Sequence, residues 1–370
     1  MQGCLSFKDY YDMKCHDLGA NGDEAIARPG RGRGDMARRR CAVRLRQSKP
    51  QDSEYIGTSL ESLLGAESMI GAARQIIREA LLDVSIGGNE LVYMAGPLPA
   101  AEYENRSFLV AISEALLGAG CTGIYCGPYA GNHVGPEDGA AAAVKGAGGA
   151  AGPGAVGVSL GGMKVLAEVS RATGLAVVVG VQSPGDIAAV EDYADVLEVS
   201  AHDLASQDMT HAVIGAGKPV LLARGGTHGI EEWLEAADCI VSGGNCNVVL
   251  YEDTAFVGLR DPAGAPDLVA VATAKSLCSL PLIVGLPYAR LAEGGSCAWS
   301  GAGAPGTGRP ANIAPAIAKA AIIAGADGLV MRIHEGKAEC PNPDPELVEL
   351  ALKELIQDLS QVARLAGKRV

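Results

Sequence analysis

Ten side chains combine reactive or charged chemistry with a place just after a short apolar run. They are Tyr129, His133, His202, Arg224, His228, Glu252, Asp253, Tyr288, Arg332 and His334. A histidine set against a carboxylate can take and return a proton, so His202 with Glu252 forms one candidate acid–base pair and His334 is a third candidate catalytic group. Arg224 and Arg332 could hold a carboxylate or phosphate, because a guanidinium offers two parallel donors to such an anion. The same residues would equally serve a solvated rim or a structural hydrogen bond, and that reading stands beside the catalytic one. Other chemistries find no support. There is no GxxxxGK[ST] phosphate loop, no GxSxG elbow and no HExxH pair. No lysine lies in a predicted strand, which weakens a Schiff-base aldolase. The ten cysteines contain no C-x-x-C pair and read as free thiols of a reducing compartment.

Something must bring these positions together. From residue 90 onward, short apolar runs alternate with amphipathic helices. Strands are predicted at Leu91–Ala95, Gly123–Gly127, Ala176–Val181, Val196–Ser200, Pro219–Ala223, Asn247–Tyr251, Leu280–Gly285 and Gly328–Ile333. Helices are predicted at Glu102–Leu117, Gly162–Thr173, Gly185–Tyr193, Asp203–Ile214, Ile230–Ser242, Asp267–Ser279, Ile313–Ala324 and Pro345–Leu365. The strands are continuously apolar, as strands covered on both faces must be. Eight βα units over this length predict an α/β fold, a closed (β/α)8 TIM barrel with an N-terminal extension. A doubly wound sheet is the alternative. It would carry a glycine-rich dinucleotide turn after its first strand, where this chain has Ala95-Gly96-Pro97-Leu98-Pro99.

Composition sets the remaining bounds. The chain has 370 residues, 48% hydrophobic and 20% charged, enough for a large core. Aromatics are 4% and net charge is −13, so neither base stacking nor general polyanion binding is supplied and no nucleic acid is expected. The charge is uneven: residues 1–50 carry +5 and the rest −18. Residues 1–55 read as a disordered basic and polar segment, 56–89 as a helical extension with a helix over 59–83, and 90–370 as the barrel. The glycine-rich stretches 139–162 and 292–310 follow predicted strands and read as insertions without a role. No apolar stretch of membrane-spanning length and no secretory h-region occur, so a cytoplasmic location is expected, or an organellar one if residues 1–55 are a targeting segment.

Particular words then become recognisable. They include GMKVLAEVS at 162–170, TGLAVVV at 173–179, DYADVLEV at 192–199, GKPVLLARG at 217–225, GIEEWLEAA at 229–237 and AKAAIIAGADGL at 318–329. In this order and spacing, residues 91–370 resemble the short, metal-dependent type I DAHP synthases (3-deoxy-D-arabino-heptulosonate 7-phosphate synthases), of the subtype shared with 3-deoxy-octulosonate 8-phosphate synthase. The resemblance implies condensation of phosphoenolpyruvate with erythrose 4-phosphate on a divalent cation held by Cys, His, Glu and Asp, with Lys and Arg clamping the anionic groups.

At those family positions this chain departs. Leu98 stands for the Cys, Tyr288 for the His and Arg332 for the Glu, while Glu339-Cys340-Pro341-Asn342 has no Asp in register. The second-strand clamp reads Ala130-Gly131-Asn132-His133-Val134-Gly135, the fourth-strand Ala-Arg-Asn reads Ala201-His202-Asp203, and the fifth-strand Lys-Arg-Gly reads Ala223-Arg224-Gly225. The sixth-strand Glu-Arg-Gly reads Glu252-Asp253-Thr254. The expectation is therefore a barrel without metal or other cofactor, acting as a structural, assembly or regulatory subunit, as a homo-oligomer or within a larger assembly, with at most weak affinity for an anionic small molecule. Two alternatives stay open: an enzyme with new chemistry on an anionic small molecule at the same mouth, and a divergent synthase of the shikimate pathway.

Overall fold

The computed structural model describes residues 43–44, 85–86, 90–129, 158–225, 229–253, 266–286, 289–291, 297–299, 314–333 and 344–369. The helix expected over 59–83 and most of both glycine-rich insertions lie outside the described residues. The strands are β1 (Val43–Arg44), β2 (Ser85–Ile86), β3 (Val92–Ala95), β4 (Gly123–Pro128), β5 (Ala176–Gly180), β6 (Val196–Ser200), β7 (Val220–Ala223), β8 (Val248–Glu252), β9 (Leu282–Gly285), β10 (Ala289–Leu291), β11 (Cys297–Trp299) and β12 (Gly328–Met331). The helices are α1 (Arg106–Gly118), α2 (Leu160–Thr173), α3 (Pro184–Val190), α4 (Gln207–Ala216), α5 (Ile230–Ser242), α6 (Leu268–Leu277), α7 (Ala314–Ala324) and α8 (Pro345–Leu365).

Eight strands close a barrel in the order β12-β3-β4-β5-β6-β7-β8-β9, and each neighbouring pair is parallel. This is the predicted (β/α)8 architecture. Alternate strand residues divide the interior into two clusters. Val92, Met94, Tyr125, Val178, Leu221, Val249, Tyr251, Ile283 and Val330 point into the barrel. Their neighbours Tyr93, Ile124, Val179, Leu222, Leu250, Val284 and Leu329 pack outward with the helices. Ile86, from the antiparallel pair β1–β2, adds a side chain of the N-terminal extension to the inner cluster.

Two helices start a full turn later than the sequence reading, at Arg106 and Gln207, and side-chain caps explain both. The expected helix at Glu102 opens as a short 3-10 turn, Ala100–Glu104, and restarts where the Asn105 side chain accepts from the Phe108 N–H at 3.2 Å. Likewise Asp203–Ala205 is a 3-10 turn, and α4 begins after Ser206, whose hydroxyl accepts from the Met209 N–H. The insertion at 292–310 was expected to be featureless. Its described part is a strand, β11, paired antiparallel with β10.

At the end where the chain enters the strands, Asp327 is buried. Its carboxylate accepts from Lys275 Nζ at 2.9 Å, Lys368 Nζ at 2.5 Å and the Leu282 N–H at 3.0 Å, joining α6, β9, β12 and the C-terminal residues. Among the described residues, no helix is long and apolar enough to cross a membrane.

Candidate functional site

Strand parity decides which polar groups enter the mouth, the end where the strands leave the barrel. Residues two along from Val196, Tyr251 and Val330 share their inward direction, which aims Glu198, Asp253 and Arg332 at the axis. Arg332 forms an ion pair with Asp253, both side chains 5% exposed, so solvent does little to screen the contact. Tyr251 Oη donates to Asp253 Oδ1 at 3.3 Å, and the rings of Tyr251 and Tyr125 lie 6.1 Å apart, tilted. The pair reaches from β8 to β12 over the intervening β9, and Gly285 makes the crossing feasible. A Cβ there would lie 2.9 Å from Tyr251 Oη and 3.2 Å from Asp253 Oδ1.

Glu198 completes this group. Burial raises its carboxyl to about 7, and the negative charge of Asp253 pushes the same way, while the Tyr125 hydroxyl and Arg332 pull less strongly against both. Glu198 was not among the residues singled out from sequence. The signal was present: a carboxylate inside the strand Val-Leu-Glu-Val-Ser, at the parity of Val196.

A second group sits one residue along, on the outward parity. Arg224, just after β7, donates to Glu252 through Nε at 2.6 Å and Nη2 at 2.8 Å. Arg224 Nη2 also lies 3.5 Å from Asp267 Oδ2, and the Asp267 N–H donates to Glu252 at 3.2 Å. Asp267 caps α6, so this network ties the ends of β7 and β8 to the start of that helix. The bond to Glu252 raises the pKa of Arg224 further, fixing it as a cation.

The remaining candidates distribute as follows. His202 is exposed in the turn after β6, while Glu252 is buried two strands away in its bidentate contact with Arg224. The neighbour of His202, Asp203, has a pKa raised by burial against the opposing pull of the imidazole. Tyr129 is buried where it bridges Val158. His133, His228, Tyr288 and His334 lie outside the described residues. Leu98 is fully buried in the outer apolar cluster, its N–H donating to Tyr103 Oη at 3.0 Å.

The closed parallel barrel, with ion-paired arginines and carboxylates at the ends of its strands, defines the class as a (β/α)8 barrel. Residues 156–368 match the family model described as the DAHP synthetase I family, and the chain belongs to that family. It is 26% identical over 210 residues to the phospho-2-dehydro-3-deoxyheptonate aldolase of Thermotoga maritima, covering 56% of this chain and 57% of that protein. The match thus spans little more than half of that relative's length. To the 2-dehydro-3-deoxyphosphooctonate aldolase of Acidithiobacillus ferrooxidans it is 26% identical over 202 residues, covering 54% of this chain and 68% of the other. The fold is similar to that of a truncated 3-deoxy-D-arabino-heptulosonate 7-phosphate synthase from Thermotoga maritima. There the TM-score is 0.57 at 24% identity, with 78% of this chain and 92% of that one covered.

The resemblance implies a divalent cation, and the described residues do not fit one. A cation needs converging oxygen, nitrogen or sulfur donors. At the implied ligand positions stand Leu98, an apolar side chain turned into the outer core, and Arg332, a cation engaged with Asp253. Among the described residues, no three His, Cys, Asp or Glu side chains are grouped to hold a metal.

Proposed function

We propose that this member of the DAHP synthetase I family does not carry out the condensation and serves as a structural, assembly or regulatory subunit. The observation that carries the reading is the commitment of both strand-end arginines. Arg332 is engaged by Asp253 across a buried contact and Arg224 by the buried Glu252 across a part-buried one. An incoming phosphate would have to take an arginine from its carboxylate and leave that carboxylate buried and uncompensated. Breaking such a pair costs about 3–5 kcal/mol, comparable to what a phosphate clamp would return. The residual anion affinity left to Arg224 and Arg332 is accordingly weak.

The test is consumption of phosphoenolpyruvate with erythrose 4-phosphate and Mn²⁺, on the parent and on Ala223→Lys. No turnover is expected from either, because metal, lysine and arginine act as a unit and one repair has nothing to cooperate with. Turnover by the parent at about 1 s⁻¹, an ordinary if low enzyme rate, would replace this reading with that of a divergent synthase. One observation favours an enzyme of new chemistry instead. Glu198, with a pKa of about 7 in the mouth, has the properties of a general acid. An uncharacterised turnover that Glu198→Gln abolishes would establish it.

Assembly with a second copy belongs to the same proposal. The outer faces of α6 and α7 expose Val269, Leu277 and Ile323, while their lysines Lys275 and Lys319 are engaged with Asp327 and Asp358. Light scattering is expected to return at least twice the chain mass of 37.7 kDa, and a monomer across micromolar concentrations would refute it. We place the protein in the cytoplasm, a reading supported by the free thiols Cys121, Cys126, Cys239, Cys246 and Cys278.

A further inference from the structure

We propose that Glu198, Asp253 and Arg332 form a proton-operated latch of the barrel mouth, closed while Glu198 carries its proton and weakened when the proton leaves. The geometry supplies two inward carboxyl groups from β6 and the end of β8 and an inward guanidinium beyond β12. Asp253 holds Arg332 in the ion pair, and Tyr251 reinforces it from the same side by donating to Asp253. Tyr251 and Arg332 thus meet on the same Asp253 oxygen, and the three groups form one network across β9.

Glu198 faces this network from the other side of the barrel. The titratable and charged groups bearing on it from the described elements are Tyr125 of β4, Asp253 beyond β8 and Arg332 beyond β12. The strands beside it offer no inward charge: β5 contributes Gly180, whose added Cβ would lie 3.2 Å from Glu198 Oε2, and β7 contributes the apolar Leu221 and Ala223. The Tyr125 hydroxyl favours the charged form of Glu198, while Asp253 repels it more strongly than Arg332 attracts it. An ionised Glu198 would therefore put a second negative charge beside Asp253 and compete with it for Arg332. A protonated Glu198 leaves the Asp253–Arg332 pair neutral and undisturbed.

The sign of the pH dependence follows. Folding raises the Glu198 pKa to about 7 from an ordinary value near 4.5. Between those limits the folded chain holds a proton that the unfolded chain has lost. Its stabilising effect is complete below about pH 4.5 and is lost as pH rises through about 7.

The experiment uses the full chain and needs no substrate, so turnover or its absence does not bear on it. Carboxyl-¹³C NMR of glutamate-labelled protein, with Glu198→Gln assigning the resonance, is expected to show Glu198 titrating near 7. In Asp253→Asn the midpoint should move down toward the ordinary range. In parallel, the folded-to-unfolded ratio of the parent relative to Glu198→Gln should fall about tenfold per pH unit across this window. The near-ultraviolet tyrosine signal should change with the same midpoint in the parent and stay constant in Glu198→Gln. A Glu198 that titrates near 4.5, or a tyrosine signal with the same pH profile in Glu198→Gln, overturns the latch. If Asp253→Asn does not fold, the comparison of the parent with Glu198→Gln decides alone.

Discussion

Arg224 shows how a residue chosen for reactivity becomes a structural one. Its fork matches the Glu252 carboxylate at 2.6 and 2.8 Å, and Glu252 is 1% exposed. Arg224→Ala would leave Glu252 with the Asp267 N–H as its remaining described partner in this network, a buried charge without its cation. The expected loss is about 3–5 kcal/mol in chemical denaturation. Replacing both residues by apolar ones, Arg224→Met with Glu252→Leu, should lose clearly less than the sum of the single changes. Equal, additive losses would mean that the pair is not a pair. Sequence reading found Arg224, Glu252 and Arg332 because charged residues at the ends of apolar runs stand out. It did not find what they touch. Arg332 and Asp253 are 79 residues apart in the chain, and only closure of the barrel makes them neighbours. Glu198 escaped because it lies within a strand, where its single charge is outnumbered by Val196, Leu197 and Val199.

Whole elements were more legible than their contacts. Strand β6, helix α5 and helix α8 fall where the apolar pattern places them, since continuous apolar runs and helical spacing are properties of the local sequence. Starts governed by caps were harder, as at Asn105 and Ser206, because the choice between a 3-10 turn and a helix rests on one side-chain hydrogen bond. The β10–β11 pair was hidden for a different reason, since β11 lies in a glycine-rich stretch with no strand period. Between elements, the fastening through Asp327 makes a testable pH prediction. Burial pushes this carboxyl up, but Lys275 and Lys368 outweigh it and hold the pKa below the ordinary range. Its contribution is thus fully present above the unfolded value of about 4 and is lost as pH falls through the folded one. Asp327→Asn should lower the thermal midpoint at pH 7, and the gap to the parent should narrow below about pH 4. A gap that stays constant between pH 7 and pH 3 would place the stabilisation elsewhere.

On the scale of the whole barrel, the two departures from the family pattern at Asp253 and Arg332 are coupled rather than separate. The resemblance gives the first position to an arginine and the second to a glutamate, and this chain holds the opposite charge at each. The opposite charges meet. Since β8, β9 and β12 belong to one closed sheet, the pair fastens strands that must unfold together, so its rupture should be read by global unfolding. Asp253→Arg alone would press a second guanidinium against Arg332. Arg332→Asp alone would gather three carboxyl groups with Glu198 and remove the guanidinium that engages Asp253. Each single change is expected to cost about 3–5 kcal/mol. In a domain of this size that lowers the thermal midpoint by roughly 10 °C, at about 2–4 °C per kcal/mol. The double exchange, Asp253→Arg with Arg332→Asp, restores an opposite pair over the same Gly285 and should recover at least half of the loss. Scanning calorimetry of the four proteins closes the cycle. Additive losses in the double variant would mean that the two reversals arose independently and that the mouth is not held by this contact.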